Sequence, residues 1–184
     1  MADMRNIIVV PYDPRWPAMA AQEMAAIRDI LGDALLAIHH IGSTAVPGLS
    51  AKPIIDLLPV VRKIEQVDDF NAAMAEMGYV ARGENGIAGR RYFCKGPDDA
   101  RSHHVHIFAD GHPDIARHLN FRDYLREHPD VAVRYAQIKL RLAAQYRNDI
   151  TRYVNGKGPF IREIEERAER QRSAGNAERT TDGD

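Results

Sequence analysis

Cysteine is almost missing from this sequence: its 184 residues contain one, Cys94. An intrachain disulfide is therefore excluded, the composition fits a reducing compartment, and a buried inert thiol is the expected state of Cys94 in its apolar surroundings. No apolar run approaches the roughly 20 residues that cross a bilayer, and no leader-like series of charged, apolar and small residues opens the chain. Neither sign of charge prevails, because 25 Lys and Arg against 26 Asp and Glu leave a formal net charge of −1. Surfaces dedicated to nucleic acid carry a basic excess, so nucleic acid is not an expected partner. A phosphate loop of the G-x-x-x-x-G-K-[ST] type is absent, which excludes kinase chemistry of that class, and no internal repeat is visible. The expectation is a soluble, cytoplasmic protein without a membrane partner.

What is present suffices for one core. With 45% hydrophobic residues, a chain of this length supports a single domain over 1–172, followed by a polar tail without aliphatic anchors, 173–184, expected to be disordered. Ile7 to Val10 is a short apolar run. Asp13 and Pro14 then open a helix whose buried face repeats at Trp16, Ala20, Met24, Ile27 and Leu31. Val67, Phe70, Met74 and Met77 mark a second helix, stopped by Gly78. Strands follow around Tyr79 to Arg82, Arg90 to Lys95 and Ser102 to Phe108. The last third is helical: Asp114 to His128, a helix from Pro129 with Val131, Tyr135, Ile138, Leu142 and Tyr146 on one face, and a final helix from Phe160 after a break at Gly156-Lys-Gly-Pro159.

The segment His39 to Val61, HHIGSTAVPGLSAKPIIDLLPVV, holds the most chemical information. Two strands, Leu35 to Ile41 and Ile54 to Val61, flank a loop punctuated by Gly and Pro. Within the second strand stands a lone carboxylate, Asp56, and a charge in so apolar a run must be paired or used. Backbone N–H groups of Gly42, Ser43 and Thr44 can form an anion-binding nest, with Lys52 as a nearby positive charge. A tight turn with capping hydroxyls is the structural alternative. His40, which precedes the turn, is a further candidate polar group; otherwise it closes a strand.

A second constellation is RSHHVHIF, residues 101–108. Strand alternation puts His104 and His106 on one face and His103 and Val105 on the other. If this strand lies beside Ile54 to Val61, the two imidazoles converge with Asp56, as a divalent metal site favouring Mn or Zn over Mg, as phosphate ligands, or as general acid and base. Hydrogen-bonded structural histidines are the alternative. The glycine-rich loop GENGIAGRR, 83–91, can hold Glu84 and Arg90 or Arg91 over a ligand, with Arg91 taken as the phosphate contact; a solvated hairpin connection is the other reading. His118, Arg122 and Arg126 recur at helical spacing and share a face, either solvated or turned to the sheet as a basic wall.

These segments carry a resemblance. The Gly-Ser turn followed by Asp56 resembles the signature of the nucleotidyltransferase fold, and GSTAVPGLSAKPIIDLL is similar to the hallmark of the GrpB family. VVPYDPRWP, GENGIAGRRYF, RSHHVHIF and RHLNFRDYLREHPDVAVRYAQIKLRLA resemble that family's segments in its order, over about residues 8–165. The resemblance implies an α+β fold, a nucleotidyltransferase-like mixed β-sheet with flanking helices and a C-terminal helical segment. It also implies a nucleotide or phosphorylated small molecule as ligand, a divalent metal, and nucleotidyl transfer as a candidate activity. The pattern departs at one point: positions 58 and 54, where the partner carboxylate of Asp56 belongs, are Leu58 and Ile54. Mg²⁺ in such sites wants several acidic oxygens, so a standard two-metal transfer is not expected. Relatives fused to dephospho-CoA kinase suggest, by association, a non-catalytic accessory module linked to coenzyme A metabolism. A metal-dependent hydrolase is the third reading.

Overall fold

A computed structural model describes the backbone of residues 7–181 and the side chains of residues 7–175. Five strands form one sheet in the order β1-β2-β5-β4-β3, where β1 is Leu35–Ile41, β2 Ile55–Val61, β3 Tyr79–Ala81, β4 Arg90–Lys95 and β5 His103–Ala109. All neighbours are antiparallel except β2 and β5, which run parallel. The sheet is therefore mixed, with helices flanking it and a helical C-terminal segment, the arrangement expected for the α+β class.

Alternation along β2 sorts the two faces. Leu57 and Val61 point to one side, where α1 (Trp16–Leu31) and α2 (Asn71–Glu76) contribute Trp16, Ile27, Leu31 and Met74 to a core shared with Phe93, Val105 and Ile107. Asp56, Leu58 and Val60 point to the other. There Ile41, Leu58, Val60 and Phe108 pack with Ile115 and Leu119 of α3 (Pro113–Glu127). α4 (Pro129–Gln145) and α5 (Ile150–Thr181) complete this side, stacking Tyr135 against Phe160 with ring centroids 5.1 Å apart.

Several expected boundaries shift. In the apolar run Ile7 to Val10, Val10 makes one isolated bridge to Ala51, and the Ile7 N–H donates to the Arg147 carbonyl. The helix expected from Asp13 starts at Trp16, after the Asp13 carboxylate accepts the Arg15 N–H at 2.9 Å. The amphipathic stretch around Val67 splits into a tight 3₁₀ segment, Ile64–Phe70, and the short α2. The break expected at Gly156 to Pro159 does not occur, because α5 runs through all four residues. Burial of Tyr153, Phe160 and Ile164 on one side of it outweighs their poor helix propensity. The tail expected from Ser173 begins within α5, and 182–184 lie outside the described residues.

Candidate functional site

Parallel pairing of β2 with β5 sets Asp56 directly beside His104 in register. Direct neighbours in a sheet share a face, so the carboxylate and the imidazole meet: His104 Nδ1 lies 3.1 Å from Asp56 Oδ1. Two residues on, His106 Nε2 stands 3.6 Å from the same oxygen. One ligand atom from each of the three lies within 4.8 Å of the others, a group that could hold a metal ion. Burial works against ionisation of Asp56, but the hydrogen bond from His104 and the contact with His106 outweigh it and hold the carboxyl below the usual carboxylate range. His106, whose ring burial disfavours charge, titrates below an ordinary histidine.

The Gly-Ser turn closes over this carboxylate. Gly42 has φ of 72°, and a β-carbon there would lie 2.6 Å from Asp56 Oδ2. Only glycine lets the turn come so near. Ser43 and Thr44 then enter a 3₁₀ turn, Ser43–Ala45, and both side chains line a cavity of about 360 Å³. Asp56 and His104 form its floor, with Tyr92 beside them; Lys52, Arg101, Lys139 and Lys157 supply four cationic side chains, and Tyr153 and Val154 of α5 close the far wall.

Each helix contributes to this wall for a local reason. Lys139 sits on the buried face of α4, one turn from Tyr135, and its ammonium donates to the Ser50 carbonyl and covers the Tyr135 ring at 4.6 Å. Burial, with a smaller contribution from Lys157, brings its pKa down to about 7. Lys157 is lowered to about 8, again chiefly by burial and next by Lys52. Arg101 donates to Asp98 at 2.7 Å through Nη2, while its Nε–H is buried without a partner.

The family model for "GrpB protein" matches residues 6–167. The chain belongs to the GrpB family. A crystal structure of the conserved protein GrpB from Enterococcus faecalis is similar over 89% of this chain and 98% of that one, with a TM-score of 0.86 and 44% identity. UPF0157 protein YqkA of Bacillus subtilis is 46% identical over 172 residues, 94% of this chain and 50% of YqkA. The chain thus spans half the length of that relative. Dephospho-CoA kinase of Mycolicibacterium paratuberculosis is 30% identical over 184 aligned positions, 87% of this chain and 45% of that protein.

Against this GrpB-family background the sequence-based candidates divide. Asp56, His104, Ser43, Thr44 and Lys52 surround one cavity, with Gly42 against Asp56 and His106 behind the floor. Two expected phosphate contacts are elsewhere. Arg91 projects to the opposite face and forms a two-pronged ion pair with Asp68 at 2.8 and 2.9 Å, because β4 registers Arg91 with Ile107 and not with His106. His40 also lies across the sheet, paired with Leu57; its Nε2 bonds Thr44 Oγ1 at 2.9 Å, and burial keeps it neutral with a pKa of about 4. Glu84, expected over a ligand, instead accepts the Gly89 N–H at 2.7 Å and closes its own loop.

The basic face of α3 does turn to the sheet, but it holds backbone. Arg122 donates to the His40 carbonyl at 3.0 Å, and Arg126 grips the Ala45 carbonyl through two nitrogens at 2.9 and 2.8 Å. Sequence reasoning missed Arg101, Lys139 and Lys157 in the cavity. Lys139 had a readable signal, a lone cation in the apolar stripe Val131, Tyr135, Leu142, whereas Arg101 and Lys157 had none. Arg90, offered only as an alternative to Arg91, is the buried one, fixed by the Glu84 and Asn85 carbonyls at 3.1 and 2.7 Å and donating to His106 Nδ1 at 3.3 Å.

Proposed function

We propose that the protein binds a phosphorylated small molecule, a nucleotide or a coenzyme A precursor being the class to test first, in the cavity under the Gly-Ser turn. The observation that carries this reading is the make-up of the walls: three lysines and an arginine stand around one carboxylate, and the Arg101 Nε–H is a buried donor in want of an acceptor. A phosphate supplies several acceptor oxygens and the negative charge that the walls lack. Ser43 and the turn's N–H groups would complete the cradle. The dephospho-CoA kinase relative supports coenzyme A chemistry as the place to look.

The cavity walls favour binding over nucleotidyl transfer. Asp56 is the one carboxylate among the described residues that line the cavity, and Glu84 is committed to its own loop. A single acid is too sparse a ligand set for a pair of Mg²⁺ ions. A second reading places one divalent ion on the convergent donors of Asp56, His104 and His106, where mixed nitrogen and oxygen ligands favour Mn²⁺ or Zn²⁺.

The experiment is a thermal-shift and calorimetric screen of ATP, AMP and dephospho-CoA, each with EDTA and with Mn²⁺, Zn²⁺ or Mg²⁺. A ligand that binds the folded state alone raises the melting temperature by mass action. Stabilisation by at least one phosphorylated compound is expected. Silence from all of them would end the proposal, and binding lost in EDTA would favour the metal.

A further inference from the structure

Arginine offers five N–H donors and no acceptor. The 3.3 Å contact between Arg90 Nη1 and His106 Nδ1 therefore has one hydrogen-bonded form, in which Arg90 donates and His106 Nδ1 is bare. Arg90 cannot easily turn away. It is 5% exposed, its other nitrogens are held by the Glu84 and Asn85 carbonyls, and its guanidinium lies 4.8 Å over the Tyr92 ring. Neutral His106 must then carry its hydrogen on Nε2, the nitrogen 3.6 Å from Asp56 Oδ1. A metal bound there needs Nε2 bare, which would drive the hydrogen onto Nδ1 against a guanidinium. Metal-bound histidines normally do the reverse and give their second N–H to an acceptor.

His104 takes the complementary form. An ionised carboxylate only accepts, so His104 Nδ1, 3.1 Å from Asp56 Oδ1, carries the hydrogen and Nε2 is bare. That Nε2 is buried and has no partner, on a side chain that lines the cavity. The basic side chains on the same cavity further disfavour a dication beside it.

We infer that Asp56 and His104 form a metal-independent hydrogen-bonded pair, with His106 in polar contact behind it, that presents one basic nitrogen, His104 Nε2, to a hydroxyl of the phosphorylated ligand. Asp56 orients His104; Arg90 and His106 are positioning residues that hold the carboxylate anionic and the tautomers fixed. The ligand class that fits is a phosphate ester with a hydroxyl near the phosphate, the cations taking the anionic oxygens and His104 the hydroxyl hydrogen. The ligand half of this inference rests on the phosphate-cavity reading, and the tautomers do not.

The test uses the full chain with ¹⁵N-labelled histidine, its ring nitrogens followed by long-range ¹H–¹⁵N spectra and assigned with His104→Gln and His106→Gln. The expected result is a bare Nδ1 on His106 and a bare Nε2 on His104. A hydrogen on His106 Nδ1 would overturn the arrangement. Zn²⁺ titrated alone should bind parent and His106→Gln alike, whereas markedly weaker binding by the variant would give His106 a part in a metal site and overturn the arrangement. AMP added to saturation in EDTA should move the His104 Nε2 resonance, and a resonance that stays put would overturn the acceptor role. Absence of AMP binding with the tautomers as described would instead count against the phosphate cavity.

Discussion

A single methyl group on Gly42 is enough to collide with Asp56, since the β-carbon would sit 2.6 Å from Oδ2 in a backbone with φ of 72°. Gly42→Ala is expected to cost about 1–3 kcal/mol through strain and to displace the carboxylate, so denaturant melting should show lower stability together with loss of AMP binding. Normal binding by a folded Gly42→Ala would mean that the turn and Asp56 are not one unit. The lysines give a pH prediction. Lys139 near 7 and Lys157 near 8 are both lowered from 10.5, chiefly by burial, and a phosphate beside them favours their charged forms. Between about pH 7 and 9, then, binding takes up protons and affinity falls as pH rises. Without ligand the sign is opposite for folding: the unfolded chain binds more protons over that range, so these two groups make stability rise with pH. Calorimetry in two buffers of different ionisation enthalpy reads the uptake, and equal heats would contradict it. At this scale the sequence was legible where alternation decides, as for His104 and His106. It was not legible for Arg90 against Arg91, because which of two adjacent residues faces the site depends on a strand register set by the distant partner Phe108.

Elements hold the site by gripping its backbone. Arg122 and Arg126 reach from α3 to the carbonyls of His40 and Ala45 on either side of the Gly-Ser turn, and charged hydrogen bonds of this kind contribute about 1.5–3 kcal/mol each. Arg126→Gln is therefore expected to loosen the turn more than the fold: hydrogen exchange at the Ala45 and Val46 amides should quicken, and AMP should bind more weakly, while α3 itself stays protected. Unchanged exchange at those amides would dismiss the clamp. Gly156 poses a contest between two effects. Alanine is the better helix former by about 1 kcal/mol, yet its β-carbon would come within 2.6 Å of Leu142 Cδ2 and 3.4 Å of Cγ, where α5 lies on α4. Overpacking costs about 1–3 kcal/mol, so Gly156→Ala should lower the melting temperature despite its propensity. A gain would show that Leu142 can move aside. The same position shows why α5 was misjudged: Gly, Gly and Pro are local breakers, and only Tyr153, Phe160 and Ile164 packing from far along the chain keep the helix continuous.

For the whole molecule, α5 is both wall and core. Removal of residues 150–184 would take out Tyr153, Phe160 and Ile164, all buried, and truncation of one large aromatic in a core alone costs about 3–5 kcal/mol. Since total stability is about 5–15 kcal/mol, the shortened chain is expected not to fold, as circular dichroism and proteolysis would show. Removal of residues 176–184 should leave the melting temperature within a degree or two, and a large drop would give that end a structural role. The GrpB resemblance and the helix and strand order were legible across the chain. The cavity was not, because Arg101, Lys139 and Lys157 come together only through tertiary packing.

The parallel junction between β2 and β5 has one more consequence, in time. Asp56 and His104 are separated by 48 residues, and the chain between them carries β3 and β4 before it returns as β5. Long-range parallel pairings of this kind are intrinsically slow to form. The carboxylate and imidazole thus stay apart in every partly folded species that lacks this junction. A chain in which this junction is missing or out of register has no Asp56–His104 hydrogen bond, so that one bond reports on a completed sheet.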